Sequence, residues 1–324
     1  QVDVVPIVHH DGWWRGTVTA VDHPAPDRIE PPCPRRREGC GGCDWQHLVV
    51  GSQLGHKAEI VRDAMRRTGK LPDAEIRLGS SVPDRGYRTT IRVVGGPDGR
   101  PSFRRDRSHE TVGAEGCIVA HPALAELIDG ATVTPELEAT FRVSHATGEA
   151  TVRWDRGRGD VTGLPEWVAT GPRAHLDEEV AGHRFRVSAA SFFQSGPQAA
   201  ELLIGAVRRA APELESAQRV VDAYAGVGLF AVAVAPPTAE VIAVESSRSA
   251  VADCRQNLGR RPHRVEQGQV GRWQMSRDEP VDVAIADPAR SGLGRPGVAA
   301  LVRAAPAVLV LVSCDPVALA RDTE

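Results

Sequence analysis

From about residue 183 onward the sequence predicts a doubly wound α/β domain, and three observations predict it. Short apolar runs alternate with amphipathic stretches of ordinary helix length, as in a parallel sheet with crossover helices. The run ending at Ala223 leads into a turn carrying Gly226 and Gly228 before the next helical stretch. The run from Val308 to Val312 is apolar throughout and delivers Cys314 to the point where Pro316 forbids further ladder pairing. Such a run fits a strand covered on both faces, with the thiol at its carboxyl end, where open α/β sheets keep their ligand sites. On this reading strands lie at about 219–223, 240–244, 281–286 and 307–313, with a fainter one near 263–266. Helices fall at about 198–211, 229–235, 247–258, 297–304 and 316–322.

The preceding half has a different texture. Residues 1–30 alternate apolar and polar positions and read as strands of a small β module. A loop rich in Pro, Gly, Arg and Cys covers 31–44, and a helix is expected over about 53–67, with Leu54, Ala58, Val61 and Met65 on one face. Residues 87–94 and 101–111 suggest a hairpin around Gly95-Gly96-Pro97-Asp98-Gly99, and short strands broken by turns continue to about Gly171. This middle region reads as α+β.

A chain of 324 residues has room for two domains and a small third piece. No apolar run reaches the ~18 residues of a bilayer span, and the N-terminus lacks a charged-then-apolar signal pattern, so a cytoplasmic protein off the membrane, acting as a monomer, is expected. Six cysteines are too few for a disulfide scaffold in a chain this long. The net charge of −3 argues against a general polyanion binder, yet residues 31–120 hold 16 Lys and Arg against 11 Asp and Glu. A basic module beside an acidic one can hold polyanion on one face.

Three acids stand at predicted strand ends together with the thiol: Asp222, Glu245 and Asp287 with Cys314. Gly226 and Gly228 let backbone approach a ligand, but the third glycine of the dinucleotide fingerprint is missing, which disfavours a pyrophosphate. Glu245 is placed to accept from ribose hydroxyls. A nucleoside ligand without phosphates, such as S-adenosylmethionine, suits this arrangement. Cys33, Cys40 and Cys43, with glycines at 39, 41 and 42, and the isolated Cys117 form a second group. Four thiolates suit tetrahedral zinc or an iron–sulfur cluster; the lack of two close C-x2-C pairs leans toward iron–sulfur. Cys254 lies inside a helical pattern and reads as core.

Taken together, Cys33, Cys40-Gly-Gly-Cys43-Asp-Trp-Gln-His47, Cys117, Ser191-Phe-Phe-Gln194, Asp222-Ala-Tyr-Ala-Gly-Val-Gly228, Asp287-Pro-Ala-Arg290 and Val312-Ser-Cys-Asp-Pro316 resemble the RNA uracil-C5 methyltransferases. The likeness is to the iron–sulfur branch typified by the bacterial 23S rRNA (uracil-5-)-methyltransferases, and it runs in order along almost the whole chain. It implies a Rossmann-like class I S-adenosylmethionine-dependent methyltransferase domain over 183–324. A central α+β domain with the cluster loop would occupy 31–182, and a partial TRAM-like β module 1–30. It implies a [4Fe-4S] cluster on Cys33, Cys40, Cys43 and Cys117. It further implies S-adenosylmethionine contacts from Gln194, Tyr224, Gly226, Glu245 and Asp287, and a nucleophile at Cys314. RNA is the implied partner, 23S rRNA before tRNA.

The chemistry explains the pairing of thiol and sulfonium. Uracil C5 is a poor nucleophile until a thiolate adds to C6, so a covalent adduct divides one hard step into two. The thiolate is expected to draw support from the helix beginning at Pro316, and Arg290 is a candidate positive charge nearby. The uridine has to be flipped out of its stack, and Arg104, Arg105 and Arg107 could grip RNA backbone.

Some residues depart from the family pattern. The family's general base is a Glu some tens of residues past the nucleophile; only ten residues follow Cys314 here, and Glu324 is not assigned that role, so the chain is expected to be an internal piece of a longer enzyme that turns over poorly by itself. Gly268-Gln269 stands where an acid often accepts from the adenine amino group, and Leu229 replaces a polar residue. A DNA cytosine-C5 methyltransferase is disfavoured because Cys314 follows Ser313 rather than Pro. Ala289-Arg290 lacks the stacking aromatic of exocyclic-amine methyltransferases. The reading from another class is a non-catalytic, metal-bearing RNA-binding protein.

Overall fold

The computed structural model describes residues 2–275 and 279–324. The chain opens with an antiparallel ribbon, β1 (Val2–His10) and β2 (Trp13–Val21), whose two strands pair only with each other among the described residues. Val4, Val5, Ile7, Trp14 and Val18 are all exposed on it.

The short helix α1 (Pro34–Arg37) follows, and then α2 (Val50–Arg67), which begins three residues earlier than its apolar face suggests. The central sheet is built from β3 (Thr90–Gly95), β4 (Pro101–Arg104), β5 (Thr111–Gly113), β7 (Glu138–Val143), β8 (Ala150–Trp154) and β10 (Ala169–Thr170), in the order β10-β8-β7-β3-β4-β5. Between these lie α3 (Pro122–Gly130), β6 (Thr132–Val133) and β9 (Val161–Thr162), the last two pairing with each other. Phe141, Leu124, Val133 and Val152, none exposed, form the centre of this core. The expected hairpin around Gly95–Gly99 exists but has only two rungs, Val94 to Ser102 and Gly95 to Pro101. Strand β4 then turns at Arg105–Arg107 to pair with β5, a second short hairpin hidden in what reads as one strand.

A hairpin of β11 (His175–Val180) and β12 (His183–Ser188) carries the chain over. The expected boundary between residues 182 and 183 falls in its turn. Leu176 and Val180 before that turn share a core with Phe185 and Val187 after it and with the parallel sheet, because a hairpin buries one face as a unit.

Next come α4 (Pro197–Ala210), β13 (Arg219–Ala223), α5 (Leu229–Ala233), β14 (Glu240–Glu245), α6 (Arg248–Leu258), β15 (His263–Gln267), β16 (Val283–Ala286), α7 (Gly294–Ala304), β17 (Val308–Leu311) and α8 (Pro316–Asp322). The sheet is all parallel in the order β15-β14-β13-β16-β17. Strand order reverses at β13, and the crevice beyond the carboxyl ends there is the place such sheets keep ligands. Val220, Val241, Val283 and Ile285 are fully buried, as strands covered on both faces require. β17 differs from expectation. It is an edge strand in this sheet, and Leu309 is 43% exposed, so the apolar run there is only partly covered. No helix among the described residues is long and apolar enough to cross a membrane.

Candidate active site

The carboxyl ends of β13, β14, β16 and β17 bring Asp222, Tyr224, Glu245, Asp287 and Cys314 to one edge of the sheet. Asp222 is completely buried. Its Oδ2 accepts from the Ala231 N–H at 2.8 Å, fixing the start of α5, while Oδ1 has no hydrogen-bond partner among the described residues. Burial, reinforced by Asp287 and Glu245, pushes its carboxyl up to about 7. Asp287 directly follows β16 and is raised by burial to about 6.

Tyr224 adopts φ +64°, a left-handed conformation that costs a non-glycine residue free energy and is held by its surroundings. Gly226 (φ +56°) donates its N–H to Glu245 Oε2 at 2.9 Å; Glu245 Oε1 accepts from the Ser247 N–H at 2.7 Å. Glu245 therefore ties the turn after β13 to the start of α6 and keeps further lone pairs for a ligand. The two glycines of the turn serve different ends. A Cβ on Gly226 would meet nothing within 4 Å, so open space lies in front of it, whereas a Cβ on Gly228 would sit 3.0 Å from Cys254 Sγ. Gly228 thus permits close packing against α6 rather than approach of a ligand. Cys254 is fully buried, as its helical pattern suggests.

Tyr224, Glu245, Ser246, Gln269, Leu293 and Gly297 are among the walls of a cavity of about 290 Å³. The Tyr224 ring lies against α7, where a Cβ on Gly297 would come within 2.9 Å of its hydroxyl. Burial pushes the Tyr224 phenol up. Gln194 and Asp287 do not line this cavity.

Gln194 is half-buried in the segment between β12 and α4, and that segment is clamped. Asp253 of α6, fully buried, accepts from Ser188 N (2.9 Å), Ser188 Oγ (2.8 Å), Ser191 Oγ (2.6 Å) and the Arg186 guanidinium. From the central sheet Arg142 donates to Ser188 O (3.1 Å), Ser191 O (2.8 Å) and Thr90 Oγ1 (3.1 Å). Burial lowers the Arg142 guanidinium to about 10 against the support of Asp253. The Thr89 N–H donates to Ser195 O at 2.7 Å, so both flanks of Gln194 are held. Sequence reading missed Arg142 and Asp253. The available signal was Asp253 beside Cys254 on the inner face of an otherwise ordinary amphipathic helix, where a charge needs partners.

Cys314 is exposed in the turn between β17 and α8. Val312 N donates to Ala286 O at 2.8 Å, which sets this turn beside Asp287. Asp315, next to Cys314, caps α8 by accepting from Ala318 N at 2.8 Å. Arg290 is exposed and lines a different cleft, shared with Trp45 and Tyr87.

In the other half Cys33, Cys40, Cys43 and Cys117 all line one cavity of about 460 Å³, together with Arg35, Arg36, Arg88, Arg104, Arg105 and Arg107. All four thiols are free. The loop around them is held by backbone: Cys40 N donates to Arg35 O at 2.8 Å, Gly41 N to Arg104 O at 3.2 Å, and Arg36 Nη1 to Cys40 O at 2.7 Å. Burial, then the neighbouring sulfurs, pushes the thiols of Cys40 and Cys117 up, and burial likewise that of Cys43. Among the described residues no group of three or more His, Cys, Asp or Glu is arranged to hold a metal ion.

No family model matches the chain. It is 31% identical to an uncharacterised RNA methyltransferase of Streptomyces avermitilis, covering 91% of this chain and 76% of the relative. It is 33% identical to an uncharacterised RNA methyltransferase of Streptomyces coelicolor, covering 95% and 74%. The 23S rRNA (uracil(1939)-C(5))-methyltransferase RlmD of Halomonas elongata is 31% identical over 91% of this chain and 70% of its own. Among solved structures, the tRNA (uracil-54, C5)-methyltransferase of Pyrococcus abyssi in complex with S-adenosyl-L-homocysteine superposes with a TM-score of 0.72. That match covers 99% of this chain and 83% of the archaeal one at 21% identity, a likeness of fold.

Proposed function

The chain belongs to the RNA uracil-C5 methyltransferases, and from that premise we propose that it methylates C5 of a uridine in 23S rRNA through a covalent bond between Cys314 and C6. The observation that carries this reading is the convergence of Tyr224, Glu245, Asp287 and Cys314 on the carboxyl edge of one parallel sheet.

The cavity beside Tyr224 and Glu245 suits the adenosine of S-adenosyl-L-methionine, with Glu245 accepting from ribose hydroxyls and Gln269 facing the base. Open space before Gly226 and the unsatisfied Oδ1 of Asp222 suit a ligand passing over the turn after β13. Asp287 and Gln194 would receive its amino-acid end. When bound, S-adenosyl-L-methionine supplies the methyl group. Cys314 Sγ attacks C6 of the everted uracil, and the electron pair of the C5–C6 bond moves toward O4, leaving C5 nucleophilic. After methylation the C5 proton leaves to a base and the thiolate is expelled. No described residue is assigned as that base.

We assign Cys33, Cys40, Cys43 and Cys117 to a [4Fe-4S] cluster. Four free thiols lining one cavity suit a cluster held by four thiolates, and Arg88 and Arg107 on the same wall add positive charge beside it. Equal iron and acid-labile sulfide in anaerobically prepared protein supports the assignment; zinc overturns it. We place the reaction in the cytoplasm, by a monomer.

The test is methylation of undermodified 23S rRNA and tRNA with labelled S-adenosyl-L-methionine, followed by nucleoside mass spectrometry. 5-Methyluridine in 23S rRNA, or labelled 23S rRNA held on the protein as a covalent adduct, supports the reading; label in tRNA alone moves the substrate, and label on another base, or neither product nor adduct, overturns it.

A further inference from the structure

The methyl-transfer reading leaves unused a cleft of about 500 Å³ where the two halves meet. Most of its wall comes from the cysteine half, with Trp45, Gln46, Lys57, Tyr87 and Arg88; Arg290, from the loop after β16, closes it on the other side. Lys57 Nζ lies 5.5 Å from the Trp45 ring centroid, and the Arg88 guanidinium 5.9 Å from that of Tyr87. Lys57 and Arg290 have no ion-pair partner among the described residues. Two acids also line the cleft, Asp44 and Asp84, and Asp44 is already paired with Arg36 at 3.8 Å. Gln46 lines both this cleft and the cysteine cavity, and its side-chain oxygen is buried without a hydrogen-bond partner among the described residues. A buried acceptor left unpaired is costly, and such atoms are rare unless something supplies the donor.

Flat aromatic faces, unpaired cations and an orphaned acceptor are the requirements for an unpaired nucleotide. We propose that this cleft is a subsite for a nucleotide flanking the target uridine. Its base stacks on Trp45 or Tyr87, an N–H of the base donates to Gln46 Oε1, and its phosphates meet Lys57 and Arg290. The occupant is a neighbour rather than the reacting base, because Cys314 is not in this wall. The proposal rests on the reading that the chain acts on RNA, and it adds where the strand is read.

Binding of labelled single-stranded RNA spanning the methylated uridine, followed by fluorescence anisotropy with S-adenosyl-L-homocysteine present, tests it without turnover. Trp45→Ala is expected to weaken binding roughly tenfold or more, with Trp45→Phe restoring most of it. Arg290→Ala is expected to weaken binding less and to reduce the salt dependence by about one phosphate contact. One abasic substitution beside the uridine should cost the wild type affinity and cost Trp45→Ala nothing further. If both alanine variants bind like wild type, or every abasic RNA penalises wild type and Trp45→Ala equally, the subsite does not exist. Should Trp45→Ala fail to fold, Arg290→Ala, altered at an exposed side chain, decides by its salt dependence: a slope equal to that of wild type means that the subsite does not exist. A wild type that neither binds nor methylates any RNA defeats the functional reading instead.

Discussion

The crevice of the parallel sheet and the cysteine cavity are built by opposite means. In the crevice, Asp222, Glu245 and Asp287 sit at or beside the ends of buried strands placed by ladders of backbone hydrogen bonds, and Cys314 follows the half-covered edge strand β17. In the cavity the cysteines sit on loops, and arginine–carbonyl bonds and single backbone bridges hold them. A strand end is positioned by its own burial; a loop ligand is positioned by what it binds. The crevice should therefore tolerate changes elsewhere, whereas the cavity should depend on its contents.

The largest expected effect tests the crevice. Cys314→Ala should lower methyl transfer by more than about a thousandfold and abolish the protein–RNA adduct on denaturing gels, with S-adenosyl-L-homocysteine affinity by calorimetry kept. Loss of cofactor affinity as well would mean the thiol has a packing role. Asp253→Ala comes next, because it strands the Arg186 guanidinium and three other donors in a buried site; about 3–5 kcal/mol of unfolding free energy should disappear in a urea titration. Gly228→Ala forces a Cβ onto Cys254 at φ +89° and should cost about 2–4 kcal/mol. Gly226→Ala has free space at φ +56°, so about 1 kcal/mol is expected, and a reversed ranking would refute the separate roles given to these glycines.

A pH dependence sharpens the contrast further. Asp222 holds its proton in the folded protein up to about 7, against 3.8 for the free side chain, so between those values the folded state binds more protons than the unfolded one. Its contribution to stability is full at the acid end of that window and is lost as pH rises through about 7. Asp222→Asn should flatten this decline in urea midpoints measured across the window, and an unchanged slope would show that the carboxyl is ionised in the fold. In the cavity, Cys40→Ser should abolish iron binding with little change in S-adenosyl-L-homocysteine affinity, the smallest crevice effect expected.

The same contrast governs what the sequence discloses. Strands β13, β14, β16 and β17 are legible to within about two residues because strands in a parallel sheet read as unbroken apolar runs, and α8 matches its expected bounds at both ends. The edge position of β17 is not legible, because the same apolar run serves a central or a lateral strand. Cys117 joins Cys33, Cys40 and Cys43 on residue type alone, and only the resemblance gives it a ligand role, since a loop contact across so long a stretch of sequence leaves no period to read. Arg142 and Asp253 escaped for a related reason: each looks like an ordinary charged residue until the partner segment is folded against it. The β4–β5 turn was hidden in one polar run, where Arg105–Arg107 carry no strong turn signal.

The stitching of the segment that carries Gln194 has a mechanical consequence. Arg142 and Thr89 fasten it to the central sheet, Asp253 fastens it to α6, the Gly196 backbone presses against Tyr87 O, and α8 lies on α2. Any hinge rotation between the halves would have to tear these fastenings together. On the proposed reaction, the motion that brings uridine to Cys314 therefore belongs to the nucleic acid.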